Sequence, residues 1–259
     1  ALRIQAQHKG GSVKATTDGK LVAKGANEVI FLLTADTDYK INFNPDFNDN
    51  KAYVGVNPEN STKKIIDNAY KNSYQELLSH HISDYKRLFD RVNININPNA
   101  PMTLQYPAVT DLPTYERLER YRKGSADYNL EELYYQFGRY LLIASSREGS
   151  LPANLQGVWA EGVDGPWHVD YHNNINLQMN YWPASSTNLN ECIPPLIDFI
   201  KTLIKPGEKT AKASFGARGW TASISGNIFG FTSPLTDKNM SWNFNPMAGP
   251  WLATHVWDY

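Results

Sequence analysis

Cysteine is almost missing from this sequence. Cys192 is the one thiol in 259 residues, which excludes an internal disulfide and, without a second thiol, any CxxC redox or metal site. It reads as a small buried apolar side chain. Long apolar runs are missing too: no stretch approaches the roughly 18 residues of a spanning helix, and the opening residues have neither the charged nor the apolar region of a secretion signal. No sign of charge dominates. With 25 basic and 26 acidic residues, a net charge of -1 and no stripe of Lys and Arg, the composition argues against nucleic acid and membrane as partners and for a neutral substrate. Gly10-Gly11 and Gly216 to Gly219 lack the strand-to-helix context and the Lys-Ser/Thr signature of a phosphate loop. His80 and His81 are adjacent on an expected helix and point apart, with no carboxylate at ligand spacing. No metal and no cofactor is expected.

What is present changes character along the chain. Leu2, Ile4 and Ala6 alternate with Arg3, Gln5 and Gln7, as in a strand already under way. Val13 to Ala15 and Leu21 to Ala23 flank a turn at Asp18-Gly19, and Val29 to Leu33 is a continuous apolar run suited to a strand buried on both faces. Residues 1–43 are therefore expected to be sandwich-like β structure. Asn44 to Ser61, rich in Asn, Asp and Pro, reads as a linker. Ile65, Ile66, Ala69, Tyr70, Tyr74, Leu77, Leu78, His81, Tyr85, Leu88 and Phe89 recur at helical spacing and predict one long amphipathic helix. Val92, Ile94 and Ile96 then return to a two-residue period and predict a strand rejoining the sandwich, so that linker, helix and strand fill 44–112.

Past the proline-punctuated connector Pro98 to Pro113, residues 113–259 read as helices joined by long loops. Leu130, Leu133, Tyr134, Phe137, Leu141 and Ala144 share one face of a helix capped by Asn129, with Gly138 leaving room for a close backbone neighbour. Leu196, Ile197, Ile200, Leu203 and Ile204 mark another, with Pro194 and Pro195 in its first turn. Met247 to Tyr259 marks a third, carrying Trp251, Leu252, His255 and Val256. A strand under way at the first residue and an uncapped aromatic end at Tyr259 are read as signs of a piece of a larger protein.

Residues 172 to 183, His-Asn-Asn-Ile-Asn-Leu-Gln-Met-Asn-Tyr-Trp-Pro, crowd planar amides beside aromatic rings. Each primary amide carries two donors and an acceptor, so Asn173, Asn174, Asn176, Gln178 and Asn180 together can grip vicinal hydroxyls or a polarised water. Tyr181 and Trp182 add apolar faces against which a sugar ring can lie. For any single Asn, capping a helix or satisfying buried backbone competes with this reading; the cluster is what favours carbohydrate. All seven tryptophans, Trp159, Trp167, Trp182, Trp220, Trp242, Trp251 and Trp257, come after residue 158. Trp159, Trp167 and Trp182 fall in or beside the expected loops as candidate sugar platforms, whereas Trp251 and Trp257, at helical spacing, are expected in the core.

Gln156-Gly157-Val158-Trp159, Pro166-Trp167 and Asn174 to Pro183 follow one another as in glycoside hydrolase family 95, which the chain resembles. Leu88-Phe89-Asp90-Arg91-Val92, Lys209 to Lys212, Gly216 to Trp220 and Pro246 to Leu252 extend the resemblance over nearly the whole sequence. It implies an α+β fragment: the end of a β-sandwich, a linker helix, then part of an (α/α) barrel of six hairpins. It also implies an inverting exo-alpha-L-fucosidase acting on oligosaccharides. Such hydrolysis needs an acid and a base. An amide is neither, but its oxygen can hold the attacking water in place. Asn174 and Asn176 match the family's paired asparagines that hold this water, through which an aspartate acts as base. The family's acid glutamate and base aspartate belong to later motifs with no counterpart before Tyr259. The chain alone is thus expected to be inert, with the remaining segments of its parent chain as partner.

By the same resemblance His172 is the form found in fucosidases, where the ring fits the C6 methyl of a 6-deoxy sugar; a smaller residue would leave room for the hydroxymethyl of L-galactose. Trp159, Trp167, Gln178, Asn180, Trp182, Arg218 and Trp220 complete the expected substrate contacts, with locking a loop as the other role open to Arg218. Glu161, Asp164, Asp170 and Glu191 read as mainly structural, Asp170 as able to orient His172 or Tyr171. The sequence departs from the family where many members carry His-His-Asn-Thr-Asp-Ile-Trp: here stand Ser223 to Phe229. An alpha-L-galactosidase of the same family and a non-catalytic carbohydrate-binding barrel protein therefore stay open as alternatives. The family's habit of degrading glycans implies a periplasmic or extracellular location.

Overall fold

The computed structural model describes residues 1–96, 112–234 and 244–259; most of the connector Pro98 to Pro113, and Trp242, fall outside these. Two compact units divide the chain at Tyr85 and Lys86.

In the first unit the expected alternation does form strands. β1 (Leu2–Lys9) pairs antiparallel with β4 (Glu28–Ala35), and β2 (Ser12–Ala15) with β3 (Leu21–Lys24). Register places Arg3, Gln5 and Gln7 opposite Thr34, Leu32 and Ile30, and α1 (Glu59–Tyr70) packs on the β1–β4 pair. Arg3 Nε donates to Thr62 Oγ1 at 3.2 Å and Gln7 Nε2 to the Tyr70 carbonyl at 2.7 Å, so the polar residues of the alternation turn toward the helix. Phe31 and Leu33, with Leu2 and Ile4, are exposed. The Val29 to Leu33 run is thus covered on one face only, because side chains alternate across a strand and α1 packs on one side.

The long helix expected over residues 65–89 is two helices, α1 and α2 (Tyr74–Phe89). Ser73 is the reason. Its N–H and hydroxyl both donate to Glu76 Oε2, at 2.7 and 2.9 Å, and its Oγ accepts from the Glu76 N–H at 3.3 Å. This capping box starts a new helix inside an unbroken apolar period.

In the second unit, residues 92–96 form no strand, contrary to their two-residue period. Their backbone is claimed by α4 (Tyr128–Ser145), which follows α3 (Thr114–Arg122). Gln136 Nε2 donates to the Val92 carbonyl at 2.9 Å and Glu132 Oε1 accepts from the Ile96 N–H at 2.8 Å. Arg139 donates to the carbonyls of Leu88 (3.0 Å), Phe89 (2.8 Å) and Thr187 (3.3 Å), capping the end of α2 with a cation. These bonds turn α4 so that Glu132, Gln136 and Arg139 face inward, while Leu133, Tyr134 and Phe137 of the expected apolar face are exposed. The cap of α4 is Asp127 rather than Asn129: its Oδ1 accepts from the Leu130 N–H at 3.0 Å. No atom would touch a Cβ at Gly138, which borders a cavity of about 730 Å³ instead of a close backbone.

The remaining elements are β5 (Tyr171–His172), α5 (Asn176–Tyr181), α6 (Pro183–Ser186), α7 (Pro194–Phe215), β6 (Ser225–Gly226) and α8 (Ala248–Asp258). α7 starts with its prolines in the first turn, buries Leu196, Phe199, Ile200 and Leu203, and continues past Ile204 to a left-handed Gly216. α8 packs on α5 and α7 through Ala248, Gly249, Leu252 and His255. Trp257, expected in the core, is 90% exposed, because it lies on the opposite side of α8 from Leu252. Cys192 is wholly buried, and burial pushes its thiol up to about 11.

Candidate functional site

β5 fixes the start of the amide-rich segment. Tyr171 and His172 pair with Gly226 and Ser225, and the Asn173 N–H continues the ladder to the Ile224 carbonyl at 2.6 Å. Ile175 is extended at φ -170°, and Asn176 is the first residue of α5. Asn173 Nδ2 donates to the Ser223 carbonyl at 3.1 Å, so the run that departs from the family pattern supplies backbone that holds the amide cluster.

The amides divide by environment. Asn173 and Gln178 are wholly buried, and Gln178 Nε2 donates to the Asn173 carbonyl at 2.7 Å. Asn180 Nδ2 donates to the Asn154 carbonyl at 3.0 Å and ties α5 to the loop before it. Tyr181, expected as a sugar platform, is a core residue instead. It is 2% exposed, its hydroxyl is bonded to Ser146 Oγ and to the Ala153 N–H, and burial pushes its phenol far above the ordinary range. Tyr181 occupies the inward side of α5, which the sequence pattern did not separate from the outward side. Asn174 is partly buried, and Asn176 is exposed at the helix start.

Four amide oxygens here are buried without a hydrogen-bond partner: Gln156 Oε1, Asn173 Oδ1, Asn174 Oδ1 and Gln178 Oε1. Leaving such an acceptor unpaired costs about 1–3 kcal/mol, so each favours a donor: a buried water at the wholly buried Asn173 and Gln178, and a water or a ligand hydroxyl at the partly exposed Gln156 and Asn174. Gln156 was not among the expected site residues, although its amide stands in the Gln-Gly-Val-Trp run. Its Nε2 donates to the Pro166 carbonyl at 3.1 Å, linking that run to the loop before β5.

That loop is bent against backbone preference. Trp167, His168 and Val169 all lie in the left-handed region, at φ 57°, 61° and 54°, a conformation worth roughly 1–3 kcal/mol of strain per residue and rare for a β-branched side chain. A Cβ at Gly165 would stand 2.3 Å from Val169 Cγ2, so a larger residue there would force the valine side chain to shift. The bend brings the Trp167 ring edge-on to His172, with centroids 5.8 Å apart and planes at 76°. His172 Nδ1 is hydrogen-bonded to Asp170 Oδ1, and both side chains are largely buried. Asp170, with Arg147, Asn154, His168 and Asn227, borders a second cavity of about 530 Å³.

The other expected contacts are dispersed. Trp159 lies over Gly157, close enough that a Cβ there would be 2.7 Å from its ring, and borders the larger cavity with Asn180. Trp182 is half-exposed and meets Trp251 of α8 edge-on at 6.0 Å. Trp220 packs over Gly249 and beside Gly207, between α8 and α7. Arg218 is exposed on the turn after α7. Glu191 pairs with Arg91 at 2.6 Å. Among the described residues no group of His, Cys, Asp and Glu is placed to hold a metal ion.

Residues 73–259 match the glycosyl hydrolase family 95 catalytic domain. The chain belongs to glycosyl hydrolase family 95. It is 37% identical over 250 residues to Alpha-L-fucosidase 2 of Arabidopsis thaliana, which covers 96% of this chain and 28% of that protein. Probable alpha-fucosidase A of Aspergillus niger is 36% identical over 241 residues, 92% of this chain and 29% of the relative. Its counterpart in Aspergillus oryzae is 33% identical over 238 residues, 91% of this chain and 31% of the relative. The family 95 chain therefore spans less than a third of the length of these relatives. Every residue of the candidate site, from Gln156 to Trp220, lies inside the matched family 95 domain.

Proposed function

We propose that this chain is part of an inverting exo-alpha-L-fucosidase that removes terminal alpha-linked L-fucose from oligosaccharides. The observation that carries the reading is Asn174 Oδ1, a buried acceptor with no protein partner, two residues from Asn176 at the first position of α5. An amide oxygen that accepts a hydrogen bond from water fixes its position without taking its proton. Removing that proton and protonating the leaving oxygen need two carboxyl groups on opposite faces of the sugar. We assign both to the remaining segments of the parent protein. His172 faces the C6 methyl of the sugar in this reading, and the fucosidase names of the three relatives support it. In the same reading residues 1–43 are the closing strands of a β-sandwich, 44–112 the linker and 113–259 the opening hairpins of an (α/α) barrel. A periplasmic or extracellular location follows from a glycan substrate.

The experiment is hydrolysis of aryl alpha-L-fucoside and alpha-L-galactoside by the full-length protein, with Asn174→Ala and Asn176→Ala beside the wild type. Each substitution is expected to lower kcat on the order of 100-fold, as loss of a positioned nucleophile does, while melting temperature holds. NMR of the first-formed product is expected to show the β anomer. Unchanged turnover in both variants refutes the water-holding role. Binding of L-fucose without turnover of either glycoside favours a carbohydrate-binding protein instead.

A further inference from the structure

His172 has a partner that determines its chemistry. Asp170 and His172 are two positions apart in extended backbone and so share a face; Asp170 Oδ1 meets His172 Nδ1 there. Both side chains are shielded, 17% and 11% exposed, which keeps water from competing for the bond. The pair is held on both sides. The Asp170 carbonyl accepts from the Leu155 N–H at 3.3 Å, His172 is paired to Ser225 in the β5–β6 ladder, and the Trp167 ring stands edge-on to the imidazole. The left-handed run from Trp167 to Val169 directly precedes Asp170.

A carboxylate only accepts, so the nitrogen facing it carries the proton. In a neutral imidazole the other nitrogen then has a lone pair and no hydrogen. We propose that Asp170 is a positioning residue: it holds His172 in the Nδ1–H tautomer, so that Nε2 accepts a hydrogen bond from a hydroxyl of the bound sugar. The proposal rests on the fucosidase reading for the identity of the sugar. Selection of the tautomer itself rests on the Asp170–His172 geometry alone. Replacing the carboxylate by an isosteric amide keeps the shape and removes this selection, because an amide can donate to Nδ1 as well as accept from it. The polarity at Nε2 is then free to reverse, and a hydroxyl that donated there loses its acceptor.

Asp170→Asn in the full-length protein tests this, with Asp170→Glu as the conservative control. NMR of the protein labelled with 15N-histidine reads the tautomer of His172 without reference to activity, and calorimetry with L-fucose reads the site. The expected result is an Nδ1–H tautomer in the wild type and a shift toward Nε2–H in Asp170→Asn. L-Fucose affinity is expected to fall roughly 10- to 100-fold, as loss of one buried hydrogen-bond acceptor does, with a matching rise in KM, a melting temperature within a few degrees of wild type and partial recovery in Asp170→Glu. A merely structural carboxylate would lower melting temperature and leave tautomer and KM alone; that result overturns the proposal, as does an Nε2–H tautomer in the wild type. A changed tautomer with unchanged L-fucose affinity overturns the acceptor role. Failure of the fucosidase reading shows separately, as a wild type with the Nδ1–H tautomer that binds no L-fucose, and it overturns the sugar hydroxyl as the partner of Nε2.

Discussion

The Tyr181 hydroxyl lies 2.6 Å from Ser146 Oγ with both side chains buried, and this pair fastens α5 to the loop that follows α4. The same hydroxyl accepts from the Ala153 N–H at 2.9 Å, and Asn180 holds the next carbonyl of that loop at 3.0 Å. The amide cluster and the loop carrying Gln156 are therefore one construction, positioned by a buried phenol.

Tyr181→Phe leaves the Ala153 N–H buried without that acceptor. The expected loss is about 1–3 kcal/mol of unfolding free energy, read by urea denaturation of the full-length protein. A loss near zero would show that the phenol only fills space.

Arg139 joins α4 to the ends of two other segments by donating to the carbonyls of Leu88, Phe89 and Thr187. Arg139→Met keeps the stem and deletes the fork, and is expected to cost about 3 kcal/mol or more because several buried carbonyls lose a charged donor at once. Arg139→Lys is expected to recover little, since an ammonium cannot span the same acceptors. Full rescue by lysine, measured as melting temperature, would contradict the capping geometry.

Asp127 predicts a pH dependence. Its bidentate bond with Arg117, at 2.7 and 2.8 Å, holds the carboxyl below its ordinary value. A group whose folded pKa is depressed contributes stability that is present above the unfolded value, here 3.8, and is lost as pH falls through the folded value. Asp127→Asn preserves the helix cap and removes the charge. At pH 7 it is expected to be less stable than the wild type by about 1–3 kcal/mol, with the gap closing below pH 3.8. A gap that stays constant in acid would rule out the ion pair as its source.

Part of the fold was legible from local rules. Alternation placed β1, and the proline pair in a first turn placed the start of α7. The errors have two causes: a local signal overridden by a partner distant in sequence, and a short polar motif hidden inside an apolar period. An apolar period carried through residues 65–89 concealed the capping box at Ser73 and Glu76. A two-residue period at 92–96 lost to Gln136 and Glu132, which bind that backbone from α4. Sequence spacing assigned Tyr134 to the core, and the inward turn of Arg139 put it outside.

The sequence by itself determined the family, because a long ordered series of short runs survives in it, and with the family the chemistry expected of Asn174, Asn176 and His172. Only the tertiary structure decided which backbone the amide nitrogens brace, which amide oxygens stay unpaired, and that Asp170 is the partner of His172. Side-chain type fixes what a group can donate or accept, but the identity of its partner depends on backbone brought together by β5–β6 pairing and by the strained turn before Asp170.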